Sequence, residues 1–204
     1  MNSDYDKKAL INTDDESWVK TDFEGISKKI LALKDNEETS LIKLEKNSIL
    51  NHTSQINSVE ILVLEGTYSN EFGDFPEGTY LRFEKEDEVL VKAKENCVIF
   101  RKTNHFSNSQ NININTKTTS WLPGQGNLEV MPLAEQTALV KWPKNERFLP
   151  HKHWGGEEIL VLDGIFMDEY GEYPKNTWIR SPHLSEHYPF VNEETIIFVK
   201  TGHI

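Results

Sequence analysis

The stretch EILVLDGIFMDEYGEYPKNTWIR, residues 158–180, reads as strand, tight turn and strand. An apolar, partly β-branched run is closed by Gly164, and Gly171 and Pro174 punctuate the chain beyond it. Its decisive property is that it occurs twice. EILVLEGTYSNEFGDFPEGTYLR, residues 60–82, lies over it at an offset of 98 with no gap, and 11 of the 23 positions are identical. The same offset places Leu41, Ile42 and Lys43 over Leu139, Val140 and Lys141, and Val98, Ile99 and Phe100 over Ile196, Ile197 and Phe198. A fixed spacing sustained across the chain is the mark of a duplicated structural unit.

Each copy is mostly strand. In the second copy the runs 137–142, 158–162, 177–180 and 195–200 are short, rich in β-branched and aromatic residues, and bounded by Gly, Pro and Asn. Strands recurring about every ten residues predict a sandwich or small barrel, so two units give an all-β chain of mostly antiparallel sheet. Residues 25–33 are the one stretch that reads as a helical turn. Residues 104–120 are polar and rich in Asn, Ser and Thr. The expected division is a first barrel over 1–103, a linker over 104–116 and a second barrel over 117–204.

The 204 residues carry 33 acids against 22 bases, a net charge of −11. Such a chain repels nucleic acid and anionic membranes, so neither is expected as a direct partner. The single cysteine, Cys97, excludes an internal disulfide and a paired-cysteine zinc site, and it sits in an apolar run as a buried thiol. No apolar run approaches the roughly 18 residues of a membrane span. The first residues lack the apolar core of a secretory signal. A cytoplasmic protein is the expectation.

Just before the second copy of the repeat stands HKHWGGEE, residues 151–158. Residues two apart on a strand point the same way, so His151 and His153 share a face. Gly155 and Gly156 permit a tight reversal that brings Glu157 beside them, and His187 follows thirty residues after Glu157. Three imidazoles and a carboxylate suit one divalent transition metal, zinc first, with iron, manganese or nickel as alternatives.

These residues resemble the two cupin motifs. His151, His153 and Glu157 fall in the ligand places of the first, with six residues between Glu157 and Gly164, while Asn145 sits near the place of its leading glycine. The second motif corresponds to Asn176, Pro182, Leu184 and His187. Asn176 and Leu184 replace its glycines, and Asn192 comes one residue late. More narrowly, residues 151–182 are similar to the cupin-like domain of the ChrR anti-sigma factors. The resemblance implies two tandem jelly-roll-like cupin barrels, a bicupin, with the metal in the mouth of one. The zinc-binding anti-sigma domain that precedes the cupin in ChrR has no counterpart ahead of residue 18, so direct sigma-factor binding is not expected. Acetylacetone-cleaving iron dioxygenases look similar in sequence as well. The resemblance therefore makes a regulatory or sensor protein the expected role, with a metal-dependent iron dioxygenase of the acetylacetone-cleaving type, acting on a small organic molecule, as the alternative. No catalytic residue beyond the metal ligands is assigned. A monomer and a homodimer are both compatible with the family.

The duplication also discriminates ligands from scaffold. His151, His153, Glu157 and His187 map onto Thr53, Gln55, Val59 and Val89, so all four are replaced together in the first copy. Glu158 keeps its acid as Glu60 and reads as scaffold. His52 and His183 read as ordinary surface or loop histidines. Glu71 and Arg82, like Glu169 and Arg180, persist in both copies and are expected to form a salt bridge within each barrel. Trp154, Trp178, Tyr188 and Phe190 flank the ligand segments; most are expected in the core, with one or two lining an apolar pocket. The first barrel is expected to be a metal-free packing partner of the second.

Overall fold

The computed structural model describes residues 1–51, 56–84, 90–106 and 111–204. Two compact units emerge, one of Met1–Ser3 with Ser17–Thr119 and one of Asp4–Glu16 with Ser120–Ile204. Each is built on a seven-stranded antiparallel sheet of the same order. In the first the strands run Ile112–Asn115, Thr79–Glu84, Ser58–Glu65, Cys97–Thr103, Glu37–Leu44, Ile26–Lys34, Val19–Lys20. In the second they run Ala9–Asn12, Thr177–Ser181, Glu157–Asp163, Thr195–Thr201, Thr137–Trp142, Glu129–Ala134, Leu122–Pro123. The sequence repeat is thus a structural one in the central strands of each sheet, and the all-β class with two repeated units read from the sequence holds.

The alternation of each strand decides which face is buried. In Glu157–Asp163 the side chains of Ile159 and Val161 enter the core of the second unit with Val140, Trp142, Phe166 and Ile197. The equivalent Ile61 and Val63 enter the core of the first unit. Residues 25–33, expected as a helical turn, fall instead in the strand Ile26–Lys34, paired with Glu37–Leu44. A register shift between Ile30 and Ala32 breaks its alternation, which is why its apolar residues mimic a helical spacing.

The ends of the two sheets come from unexpected parts of the chain. Ala9–Asn12, read from sequence as part of the first barrel, pairs with the Thr177–Ser181 strand of the second unit, Ala9 opposite Arg180 and Asn12 opposite Thr177. Ile112–Asn115, inside the stretch read as linker, pairs with the first unit, Ile112 opposite Arg82 and Asn115 opposite Thr79. The polar character of residues 104–116 hid this strand: an edge strand needs few apolar side chains.

The persistent arginines hold these arms rather than the expected glutamates. The Arg180 guanidinium lies 4.3 Å from the Tyr5 ring centroid and donates to the Asp4 carbonyl at 2.9 Å. The Arg82 guanidinium lies 3.7 Å from the Phe106 ring centroid. Glu71 and Glu169 instead accept the backbone N–H groups of Leu90 and Tyr188, at 3.0 and 3.1 Å, which are equivalent positions in the two copies. Cys97 is a buried free thiol, and burial pushes its pKa up to about 12. Among the described residues no helix is long and apolar enough to cross a membrane.

Candidate metal centre

All four candidate residues of the second unit converge. The short strand His151–Lys152 pairs antiparallel with Glu186–His187, which sets His151 directly opposite His187. After His153 the chain reverses through Gly155 and Gly156, both with φ above +70°. A Cβ on Gly155 would lie 2.6 Å from the Gly202 Cα, and one on Gly156 2.8 Å from the Ser181 carbonyl oxygen, so the turn admits only glycine at both. His183 serves this turn, accepting the Gly155 N–H on Nδ1 at 2.8 Å. The reversal delivers Glu157 to the inward face shared with Ile159 and Val161.

His151, His153 and His187 each offer a ring nitrogen, and these atoms lie within 4.8 Å of one another. Glu157 closes the set: its Oε1 is 3.2 Å from His153 Nε2 and its Oε2 is 3.5 Å from His187 Nε2. His153 Nε2 and His187 Nε2 are 3.4 Å apart. His151 Nδ1 sits 3.0 Å from the Leu149 carbonyl, which can only accept, so Nδ1 carries the proton and Nε2 keeps its lone pair.

The electrostatics fit a cation at this point. Burial, assisted by Asp168 and opposed by Lys8, pushes the Glu157 carboxyl up to about 8. Burial, reinforced by the neighbouring imidazoles, pulls His153 and His187 down to about 4. Two neutral imidazoles face a carboxyl group whose Oε2 is buried with no hydrogen-bond partner. Such an orphaned oxygen is rare in a native interior unless an ion satisfies it. A divalent cation among the three Nε2 atoms and Glu157 would remove the anomaly.

Glu158 points to the opposite face of its strand. It accepts from Trp178 Nε1 at 2.8 Å and lies 3.0 Å from His203 Nε2. Its counterpart Glu60 accepts from the Tyr80 hydroxyl at 2.6 Å. Both acids belong to the framework. Val59, the counterpart of Glu157, is buried in the first unit's apolar core. Thr53, Gln55 and Val89, the counterparts of the three histidines, lie outside the described residues, as do His52 and Lys85.

Beside the donor set a cavity of about 590 Å³ opens, walled by Leu128, Val140, Trp142, Phe148, Phe166 and Ile197, with His151, His153 and Glu157 in the same lining. The Trp142 ring packs against Phe148 and Phe166, at centroid distances of 4.8 and 5.6 Å. Of the aromatics named from sequence, Trp178 is fully buried against Glu158, while Trp154 and Tyr188 are exposed. Phe190 lies under the Arg147 guanidinium, 4.6 Å from it. The aromatic wall comes from Trp142, Phe148 and Phe166, which the sequence reading did not single out. Trp142 shares the alternation of Ala138 and Val140 on its strand, and that period was the signal for it.

Residues 6–107 match the ChrR cupin-like domain family, and residues 109–204 match it again. The chain belongs to the ChrR cupin-like domain family. No curated protein matches this cupin. Its fold is shared with a candidate dioxygenase from Nostoc punctiforme PCC 73102, at 13% identity and a TM-score of 0.81 over 96% of this chain and 82% of that one. It is shared also with Ylba from E. coli (15% identity, TM-score 0.71, 97% and 91% covered). A mutant of Bacillus subtilis oxalate decarboxylase is a third (11% identity, TM-score 0.65, 96% and 77% covered). The departures of this cupin from the two motifs have a backbone explanation. Asn145, Asn176 and Leu184 stand at or near motif glycines, and all three keep a left-handed backbone, with φ of 68°, 69° and 59°. The conformation survived the loss of the glycine; Asn tolerates it well, Leu poorly.

Proposed function

We propose that the C-terminal unit holds one divalent transition metal through His151, His153, Glu157 and His187 and presents it to a small, largely apolar organic molecule. The observation that carries this reading is the juxtaposition of a donor set containing an unpartnered buried carboxylate oxygen with an apolar cavity of small-molecule size. A purely structural ion would need no such cavity. When bound, the ion supplies Lewis acidity and, if six-coordinate, two positions not taken by protein. The protein's share is to orient and to exclude water: Trp142, Phe148 and Phe166 wall off an apolar volume, and Arg147 stands in the lining as the cationic group.

The cavity supports an enzymic role, with a metal-dependent dioxygenase as the reaction class, and iron or manganese as the ion that leaves coordination positions open. Fold neighbours described as a candidate dioxygenase and as an oxalate decarboxylase with Mn(II) centres accord with it. Membership of the ChrR cupin-like family supports the second role, a sensor in which zinc and a bound molecule report a signal rather than react. The deciding experiment is elemental analysis of protein purified without a His-tag or chelating resin, followed by O2-uptake measurements on the iron-loaded form with small diketones. Iron with substrate-dependent uptake establishes the enzyme. One zinc per chain with no turnover establishes the sensor. Absence of any bound or bindable metal overturns the site.

A further inference from the structure

Behind His187, on the side away from Glu157, lies a second buried acid. Asp168 closes the strand Ile165–Asp168 and is 6% exposed. Its two oxygens do different work. Oδ1 serves the local turn, accepting from Tyr170 N at 2.8 Å, Gly171 N at 3.1 Å and the Tyr173 hydroxyl at 2.7 Å. Oδ2 faces elsewhere: Lys8 Nζ is 3.2 Å away and His187 Nδ1 is 4.0 Å away. Lys8 Nζ also hydrogen-bonds the Tyr173 hydroxyl at 3.1 Å, and it belongs to the arm of residues 4–16 that completes this unit.

The first unit supplies the control. Asn70 stands where Asp168 does, and its Oδ1 accepts Phe72 N at 2.8 Å, the same turn bond. Phe75 stands where Tyr173 does, without the hydroxyl. The turn therefore needs an acceptor oxygen but neither the charge nor the tyrosine. Those extra features occur only in the unit with the histidines. A negative oxygen facing Nδ1 stabilises the Nδ1-protonated tautomer of His187 and leaves the Nε2 lone pair toward Glu157 and His153.

We infer that Asp168 is a positioning residue of the metal centre, fixing the tautomer and aim of His187, and that Lys8 of the N-terminal arm, with Tyr173, holds Asp168 for that task. The inference rests on the metal reading above. It makes ion affinity depend on a residue 179 positions upstream of the ligand it serves (187 minus 8).

The test uses the full chain, stripped of metal, titrated with Co(II) and with Zn(II) against a chromophoric chelator. Three variants each remove one group: Asp168→Asn, which installs the first unit's own residue, Tyr173→Phe, which does the same, and Lys8→Met. Asp168→Asn is expected to weaken binding roughly 10- to 100-fold, the usual effect of losing such an outer partner, and to shift the Co(II) d–d spectrum. Lys8→Met and Tyr173→Phe are each expected to weaken it by about tenfold or less. Adding Lys8→Met to Asp168→Asn should weaken it no further, because both act through one carboxylate. The melting temperature of the metal-free form should stay near wild type in Tyr173→Phe and Lys8→Met, so these two carry the test even if Asp168→Asn folds poorly. Wild-type affinity and spectrum in Asp168→Asn would overturn the inference while leaving the metal site intact. Multiplying losses in the double variant would overturn the role of Lys8. A wild-type chain that binds neither ion would overturn the metal reading itself, and this inference with it.

Discussion

Replacing Glu157 with glutamine should stabilise the metal-free protein and abolish its response to metal. The folded environment lifts the Glu157 carboxyl from its ordinary 4.5 to about 8, chiefly by burial. Over that window the folded state holds a proton that the unfolded chain has released. Stability therefore falls as pH rises from 4.5 to 8, by about 1.4 kcal/mol per pH unit. His153 and His187 act in the opposite sense. With both pulled from 6.5 down to about 4, the unfolded chain takes up protons first, and stability falls as pH drops through that window. Below pH 6.5 two histidine slopes outweigh one glutamate slope, and above it only the glutamate slope remains. Metal-free protein should thus be most stable near pH 6.5 and lose about 2 kcal/mol by pH 8. At pH 7.5 the glutamate penalty is about 4 kcal/mol, and an imperfectly bonded amide gives back about 1–2 of it. Metal-free Glu157→Gln should then exceed wild type by about 2–3 kcal/mol and lack the alkaline decline. Urea unfolding of chelator-treated protein between pH 5.5 and 8.5 measures this. With Zn(II) present the ranking should reverse. A flat metal-free profile from pH 6.5 to 8.5, or a variant less stable than wild type at pH 7.5, would refute the reasoning.

Alanine at His151 or His153 should abolish one-to-one metal binding by elemental analysis, whereas Glu158→Gln should retain it, since Glu158 bonds Trp178 on the far side of the sheet. Metal affinity, measured by chelator competition, should fall as pH drops below about 8, where a proton competes for Glu157, and fall more steeply near 4, where protons reach His153 and His187. Leu184 is 44% exposed at φ 59°, so Leu184→Gly should raise unfolding free energy by about 0.5–1 kcal/mol, the left-handed penalty exceeding the added chain entropy. A fragment of residues 117–204 lacks Tyr5, Lys8 and the edge strand, and should self-associate and bind metal weakly; adding a peptide of residues 4–16 should restore a good part of both, read by sedimentation and by titration.

The repeat exposed most of this molecule at the level of sequence because one strand pattern, shifted by 98, predicts the same sheet twice. Joint replacement of the four candidate ligands in the first copy separated Glu157 from Glu158, and the opposed faces of the two side chains agree with that separation. The same comparison contained the Asp168 to Asn70 and Tyr173 to Phe75 exchanges. They carry no spacing motif that ties them to the histidines, so only the folded geometry brings Asp168 behind His187. The arms were illegible for a different reason. Ala9–Asn12 is four residues long, and its partner is set by geometry at the far end of the chain, which no local period encodes. The salt bridge expected between the persistent Arg and Glu failed because persistence says only that a residue matters. In each unit the arginine grips an arm and the glutamate caps a backbone N–H.

The placement of the arms gives the chain an order of completion during synthesis. The first unit receives its edge from Ile112–Asn115, 30 positions beyond Arg82 (112 minus 82), so its sheet can close soon after that segment leaves the ribosome. The second unit receives its edge from Ala9–Asn12, and Ala9 must await Arg180, 171 positions later (180 minus 9). Ala9–Asn12 is thus placed long after it is made, a long-range closure of the kind that slows folding. The arm that completes the histidine-bearing unit is thus bracketed by residues of the other one: Met1–Ser3 stay with the first unit, the Met1 carbonyl accepting the Leu33 N–H, and only Asp4–Glu16 belong to the second.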